Sequence, residues 1–153
     1  MSILVYIDSN NKIAKSAFEV VTYGSKIGEV TVVTNGNADE TALAELGKFG
    51  AKKVLVDRSF DGTDNQQLTQ LIAKAVETTG ANTVIFSNDL TGKSIAPRLS
   101  VKLQAGLVAG ATALPNDDGA IKVNVFSGKA FGFVKVNTDK KIIAVLPNSI
   151  QPE

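Results

Sequence analysis

Short, unbroken apolar runs alternate with helically spaced apolar stripes through the first two thirds of this chain. Residues 3–7, 30–33, 54–56 and 84–86 are apolar and largely β-branched. Continuous rather than alternating apolarity predicts strands covered on both faces, as in a parallel sheet. Between these runs, Leu68, Leu71, Ile72, Ala75 and Val76 recur at i, i+3, i+4, i+7 and i+8, the stripe of an amphipathic helix. Ile13, Ala17, Val20, Val21, Gly24 and Ile27 form a similar stripe. Leu43 and Leu46 mark a shorter helix after the turn-forming residues 35–39, and Ile95, Leu99 and Leu103 mark a fourth. The repeated β-α order predicts right-handed crossovers on a parallel sheet, with helices on both faces.

After Gln104 the texture changes. Residues 107–114, 121–126, 131–136 and 142–146 are strand-like, with no helical pattern between them. Asn116-Asp117-Asp118-Gly119 is a strong turn signal, and Asn137-Thr138-Asp139-Lys140 a weaker one. The C-terminal third is therefore expected to be strands joined by hairpins, extending or flanking the parallel sheet. Residues 1–153 contain no internal repeat or linker, so the expectation is a single three-layer α/β domain.

Charge and composition narrow the chemistry. Sixteen basic residues against fifteen acidic ones give a net charge of +1, which excludes the whole-molecule basic field of a nucleic-acid binder. The chain has no cysteine and no histidine. Disulfides, thiolate nucleophiles and Ser–His or Cys–His pairs are excluded, and so is the usual general base near neutral pH. Zinc would have carboxylates alone to bind it. The opening residues 1–8 lack the basic region of a signal peptide and read as a first strand. No apolar stretch approaches the roughly 20 residues of a membrane span, so a cytoplasmic chain without membrane insertion is the expectation.

The richest local chemistry follows the run at 84–86. Ser87-Asn88-Asp89-Leu90-Thr91-Gly92-Lys93-Ser94 is one residue short of the phosphate-binding pattern G-x-x-x-x-G-K-[ST], with Ser87 where the first glycine belongs. A helix start near Thr91, Gly92, Lys93 and Ser94 offers free N–H groups and a positive dipole end beside Lys93. Those four residues fit either an anion site or a capped helix start with a solvated lysine. Pro97 suits the first turn of a helix. Arg98, with Lys102 one turn on, is either a surface arginine or a fork donor for a ligand or interface. Asp8, at the end of the first strand, faces a nucleoside in some α/β folds or caps a turn with Ser9, Asn10 and Asn11. Ser127, Gly128 and Lys129 join two strand-like runs, either as a ligand grip or as a simple turn or bulge. No G-x-G-x-x-G is present, so a dinucleotide fingerprint is absent.

Taken in order, several of these segments resemble one family. Leu4-Val5-Tyr6-Ile7-Asp8, Phe49-Gly50-Ala51-Lys52-Lys53-Val54, Thr91-Gly92-Lys93-Ser94-Ile95-Ala96-Pro97-Arg98-Leu99-Ser100, Ala105-Gly106-Leu107-Val108, Phe126-Ser127-Gly128-Lys129-Ala130 and Pro147-Asn148-Ser149 are similar to the N-terminal domain of the electron transfer flavoprotein α subunit. The chain departs from that pattern at Gly110, where an Asp is frequent, at Lys129, where an Asn is usual, and at Leu146, where an Arg is common.

The resemblance implies an adenine-nucleotide-hydrolase-like architecture. It also implies an electron carrier rather than an enzyme. Such a carrier passes electrons from flavoprotein dehydrogenases to a respiratory-chain or ferredoxin-type acceptor, as a heterodimer with a β subunit. In that family FAD is held mainly by a second domain, so this chain alone is expected to bind none and to serve as scaffold and subunit interface. Thr91, Gly92, Lys93, Ser94, Arg98, Ser127, Gly128 and Lys129 are the candidate cofactor contacts, with no catalytic residue and no metal ligand. The competing reading is a stand-alone nucleotide-binding module similar to universal stress proteins. Phe126, Phe131 and Phe133 fall in one predicted hairpin, either as an interface cluster or as packing inside the domain.

Overall fold

A computed structural model describes residues 2–7, 15–35, 40–57, 64–125 and 129–150. The described residues form an eight-stranded sheet flanked by four α-helices, the α/β fold expected. The elements are β1 (Ser2–Tyr6), α1 (Lys15–Ser25), β2 (Glu29–Asn35), α2 (Glu40–Glu45), a 3-10 turn (Leu46–Phe49), β3 (Ala51–Asp57), α3 (Asn65–Thr79), β4 (Thr83–Ser87), α4 (Leu90–Leu103), β5 (Gly106–Ala111), β6 (Ile121–Val125), β7 (Ala130–Val134) and β8 (Lys141–Val145).

Strand order is β3-β2-β1-β4-β8-β5-β6-β7. The first six strands in that order are parallel, and β6 and β7 continue the sheet antiparallel. The turn at 116–119 forms as the sequence predicts. Asn116 Oδ1 accepts from the N–H groups of Asp118 and Ala120, and β5 and β6 pair on either side of it.

One strand departs from expectation. Instead of closing a hairpin, β8 inserts between β4 and β5, parallel to both. Its composition explains this. Ile142, Ile143, Ala144 and Val145 are all buried, the continuous apolarity of a strand covered on both faces. The preceding segment, 135–140, passes the start of β5 rather than forming a tight turn. Thr138 Oγ1 accepts the Gly106 N–H at 2.8 Å and donates to the Lys140 carbonyl at 2.6 Å.

The sheet divides the core in two. On the α3–α4 side, Leu68, Ile72, Ala75 and Val76 of α3 and Ile95 and Leu99 of α4 pack on Leu4, Val84, Phe86 and Ile142. The α3 stripe is the one written in the sequence. Asp64 Oδ1 caps it by accepting the Gln67 N–H at 3.0 Å. On the other side, Ala17, Val20, Val21 and Tyr23 of α1 pack on Ile3, Val5, Val30 and Val32. Phe18 of α1 meets Phe49 of the 3-10 turn with ring centroids 4.7 Å apart. Further along that face Leu114, Val134, Val136 and Ile150 close over Val108, Ile121, Val123 and Ile143.

Two polar groups of α1 are buried in this second layer. Glu19 is 2% exposed, and its Oε2 accepts the Asn148 N–H at 2.9 Å. Tyr23 donates its hydroxyl to the Ala113 carbonyl at 2.8 Å, and burial pushes its phenol well above the usual range.

Candidate functional site

The segment singled out in the sequence forms the β4-to-α4 junction, at the C-terminal edge of the parallel strands. In an open α/β sheet that edge is where ligands usually bind. The helix starts earlier than Pro97 suggested. Asp89 is the N-cap and Leu90 the first helical residue, so Pro97 lies in the helix interior. A proline there removes one i→i−4 hydrogen bond, and the carbonyl concerned belongs to Lys93, an exposed residue.

Asp89 decides the electrostatics of this helix start. Its Oδ1 accepts the Gly92 N–H at 2.8 Å, so a carboxylate of the chain itself sits where an anion would dock. Gly92 is needed for a steric reason. A Cβ added there would lie 2.0 Å from the Ser87 carbonyl oxygen and 3.1 Å from Phe86 Cδ2. The first turn of α4 is thus pressed against the end of β4, with the backbone itself as the contact. Thr91 and Ser94 are half-buried, and Lys93 and Arg98 are exposed.

Ser87, read in the sequence only as a missing glycine, has a buried Oγ with no hydrogen-bond partner among the described residues. Beside it, the Asn88 N–H donates to the Val145 carbonyl at 2.7 Å, tying the junction to β8. Gly110 lies at the bulge between β5 and β8 with φ +83°, a left-handed conformation that Asn and Asp also tolerate.

The second candidate group sits elsewhere. Because β6 runs antiparallel to β5, with Ala111 opposite Val123, the end of β6 points back toward the N-terminal edge of the parallel strands. Val125 pairs with Ala130, so exposed Lys129 stands at the start of β7, the outermost strand on that side of the sheet. Thr91, Gly92, Lys93, Ser94 and Arg98 belong to α4, which follows β4, four places from β7 in the strand order. Ser127, Gly128, Phe126 and Asp8 lie outside the described residues, as do Ser9, Asn10 and Asn11. A separate cleft of about 510 Å³ also opens at the N-terminal edge, lined by Ser2, Glu29, Lys53 and Thr79 among others. Neither Phe131 nor Phe133 packs inside the domain, since each is 59% exposed.

Two buried polar contacts escaped the sequence reading. Glu19 and Tyr23 lie within the helical stretch whose stripe is read from Ile13, Ala17, Val20, Val21, Gly24 and Ile27, yet both are buried. Their polar ends reach segments more than 80 residues away in sequence, Ala113 and Asn148, which local periodicity does not encode.

Comparison with known proteins gives a consistent result. The family model described as "Electron transfer flavoprotein domain" matches residues 3–153. The chain is 32% identical over 142 residues to the electron transfer flavoprotein subunit alpha of Bacillus subtilis, covering 88% of this chain and 43% of that protein. It is 28% identical over 143 residues to the subunit of the same name from Syntrophomonas wolfei, covering 90% and 45%. It is 40% identical over 96 residues to protein FixA of Rhizobium meliloti, covering 53% and 32%. The chain spans less than half the length of these relatives. Among the described residues, no helix is long and apolar enough to cross a membrane.

Proposed function

Since the chain belongs to the electron transfer flavoprotein domain family, we propose that it is the scaffold domain, residues 1–153, of an electron transfer flavoprotein α subunit. In this reading the assembled protein is a cytoplasmic heterodimer with a β subunit. It carries electrons from flavoprotein dehydrogenases to a respiratory-chain or ferredoxin-type acceptor. FAD supplies the redox chemistry, and the residues that hold it lie mainly in a part of the α subunit other than this domain. The domain contributes a rigid sheet and an interface, and no residue of it acts as a catalyst.

The observation that carries this reading is the similarity to two α subunits over nearly nine tenths of this chain and less than half of theirs. The geometry agrees with a scaffold role. Asp89 holds the α4 N-terminus with its own carboxylate, and the basic candidates Lys93, on the helix after β4, and Lys129, at the start of β7, belong to elements four strands apart in the sheet order. A cofactor site normally buries most of its ligand between convergent polar groups.

The test is to mix the purified chain with FAD, desalt it, and read the visible spectrum. The expected result is no stoichiometric flavin on this chain, with full flavin recovered when the complete α and β subunits are assembled. Stoichiometric flavin retained by the 153-residue chain alone would overturn the scaffold assignment.

A further inference from the structure

The β6–β7 hairpin buries one face and leaves the other open. Ile121 and Val123 belong to the α1-side core, so alternation along β6 puts Lys122 and Asn124 on the opposite face. The register pairs Lys122 with Phe133 and Asn124 with Phe131, which puts both rings on that open face. The rings meet edge to face with centroids 6.1 Å apart, and Lys122 Nζ lies 4.2 Å over the Phe131 ring. Monomeric proteins seldom leave large aromatic groups clustered in water, and such patches mark interaction surfaces. The position strengthens the case, because β7 is the last strand of the sheet.

Charge identifies what fits there. Between Gly119 and Asp139 the sequence carries Lys122, Lys129 and Lys135 and no carboxylate. Lys129 and Lys135 are exposed at the two ends of β7. A second copy of the chain would set these lysines against themselves, and like charges facing each other across strands are destabilising. A complementary surface presents carboxylates around an apolar hollow that takes the two rings. The rings are held on a regular strand rather than at a loop tip, which suits a shaped protein surface better than a lipid headgroup layer.

We propose that Phe131 and Phe133, ringed by Lys122, Lys129 and Lys135, dock an acidic protein surface. On the reading above, which this inference rests on, that surface belongs to the β subunit. The test is calorimetric titration of the 153-residue chain with its cognate β subunit at low and high salt. Two variants are compared with the parent, each first checked for an unchanged circular dichroism melt. They are Phe131→Thr with Phe133→Thr, which keeps strand propensity, and Lys129→Glu with Lys135→Glu.

The phenylalanine variant is expected to bind at least about tenfold more weakly, as for central aromatic contacts elsewhere. The charge-reversed variant is expected to bind more weakly at low salt and to lose the salt dependence of the parent. Parent-like affinity in both variants would overturn this surface while leaving the heterodimer reading intact. If the parent chain itself shows no association, the β-subunit reading fails and this proposal fails with it. Self-association abolished by the phenylalanine changes, or co-sedimentation with anionic vesicles in place of subunit binding, would also overturn it.

Discussion

Glu19 and Asn148 lie at opposite ends of the sequence, yet the buried carboxylate of one accepts the backbone N–H of the other at 2.9 Å. Asn148 adopts φ 66°, so the segment after β8 bends into a left-handed conformation while the carboxylate holds its amide. A buried carboxylate without a donor is costly, and the backbone N–H of Asn148 supplies that donor from the segment after β8. Glu19→Ala would remove that hydrogen bond and leave a cavity where the buried Glu19 side chain packs. The expected loss is about 2–3 kcal/mol in urea unfolding, whereas Glu19→Gln keeps an acceptor oxygen and costs less than half as much.

Gly92→Ala sets a steric clash against a gain in helix propensity. Alanine favours a helix by about 1 kcal/mol over glycine, but its Cβ would meet the Ser87 carbonyl oxygen at 2.0 Å. Backbone on both sides of the contact leaves little room to relax, so overpacking wins, with a net loss of about 1–3 kcal/mol. Asp89→Ala, which removes the cap alone, is expected to cost about 1 kcal/mol. Thermal unfolding of both variants gives the order, and a Gly92→Ala protein as stable as the parent would contradict the packing described.

Ser87→Ala tests the orphaned hydroxyl at the end of β4. Its Oγ is buried and has no partner among the described residues, so deleting it removes an unsatisfied group and leaves little space. Stability is expected to rise by up to about 1 kcal/mol in denaturant unfolding. A clear loss instead would mean that the hydroxyl makes a hydrogen bond in solution.

Tyr23 predicts a dependence on alkaline pH. Burial raises its phenol above the ordinary value of 10.0, so the folded chain keeps a proton that the unfolded chain releases. The folded state then binds more protons above pH 10, and stability falls as pH rises. The contribution is complete below the unfolded value and is lost progressively above it. Tyr23→Phe is expected to lose about 1 kcal/mol at neutral pH, the worth of the bond to the Ala113 carbonyl. It should also lack part of the parent's decline in urea midpoint above pH 10.

Much of the architecture was legible because it is written in local periodicity. The α3 stripe from Leu68 to Val76 and the apolar runs of β1 to β4 each announce which faces are covered. The insertion of β8 was written there as well. Its run of Ile142, Ile143, Ala144 and Val145 has the same two-sided apolarity as β1, but its place among hairpin strands drew it toward the edge. The junction chemistry was legible only in part. Lys93 and Gly92 suggested an anion site, while the group that fills the helix start is Asp89, an ordinary capping residue whose occupancy depends on geometry. The open face of β7 could not be read at all from composition, since an exposed and a buried phenylalanine look alike until register assigns them to a face.

The central position of β8 also sets the order in which the protein can be made. The chain leaves the ribosome from its N-terminus, and β1 to β4 with α1 to α3 can pair as soon as they emerge. The strands β5, β6 and β7 emerge next but have no parallel neighbour to join, because β8, which bridges them to β4, follows all three in the chain. Until residues 141–145 appear, the nascent chain carries two separate sheet edges with unpaired backbone groups, at β4 and at β5. Such edges invite mispairing, and long-range strand pairing is slow. β8 therefore works as a keystone, and its arrival after β5 to β7 defines the interval in which a chaperone or a waiting partner would have most to protect.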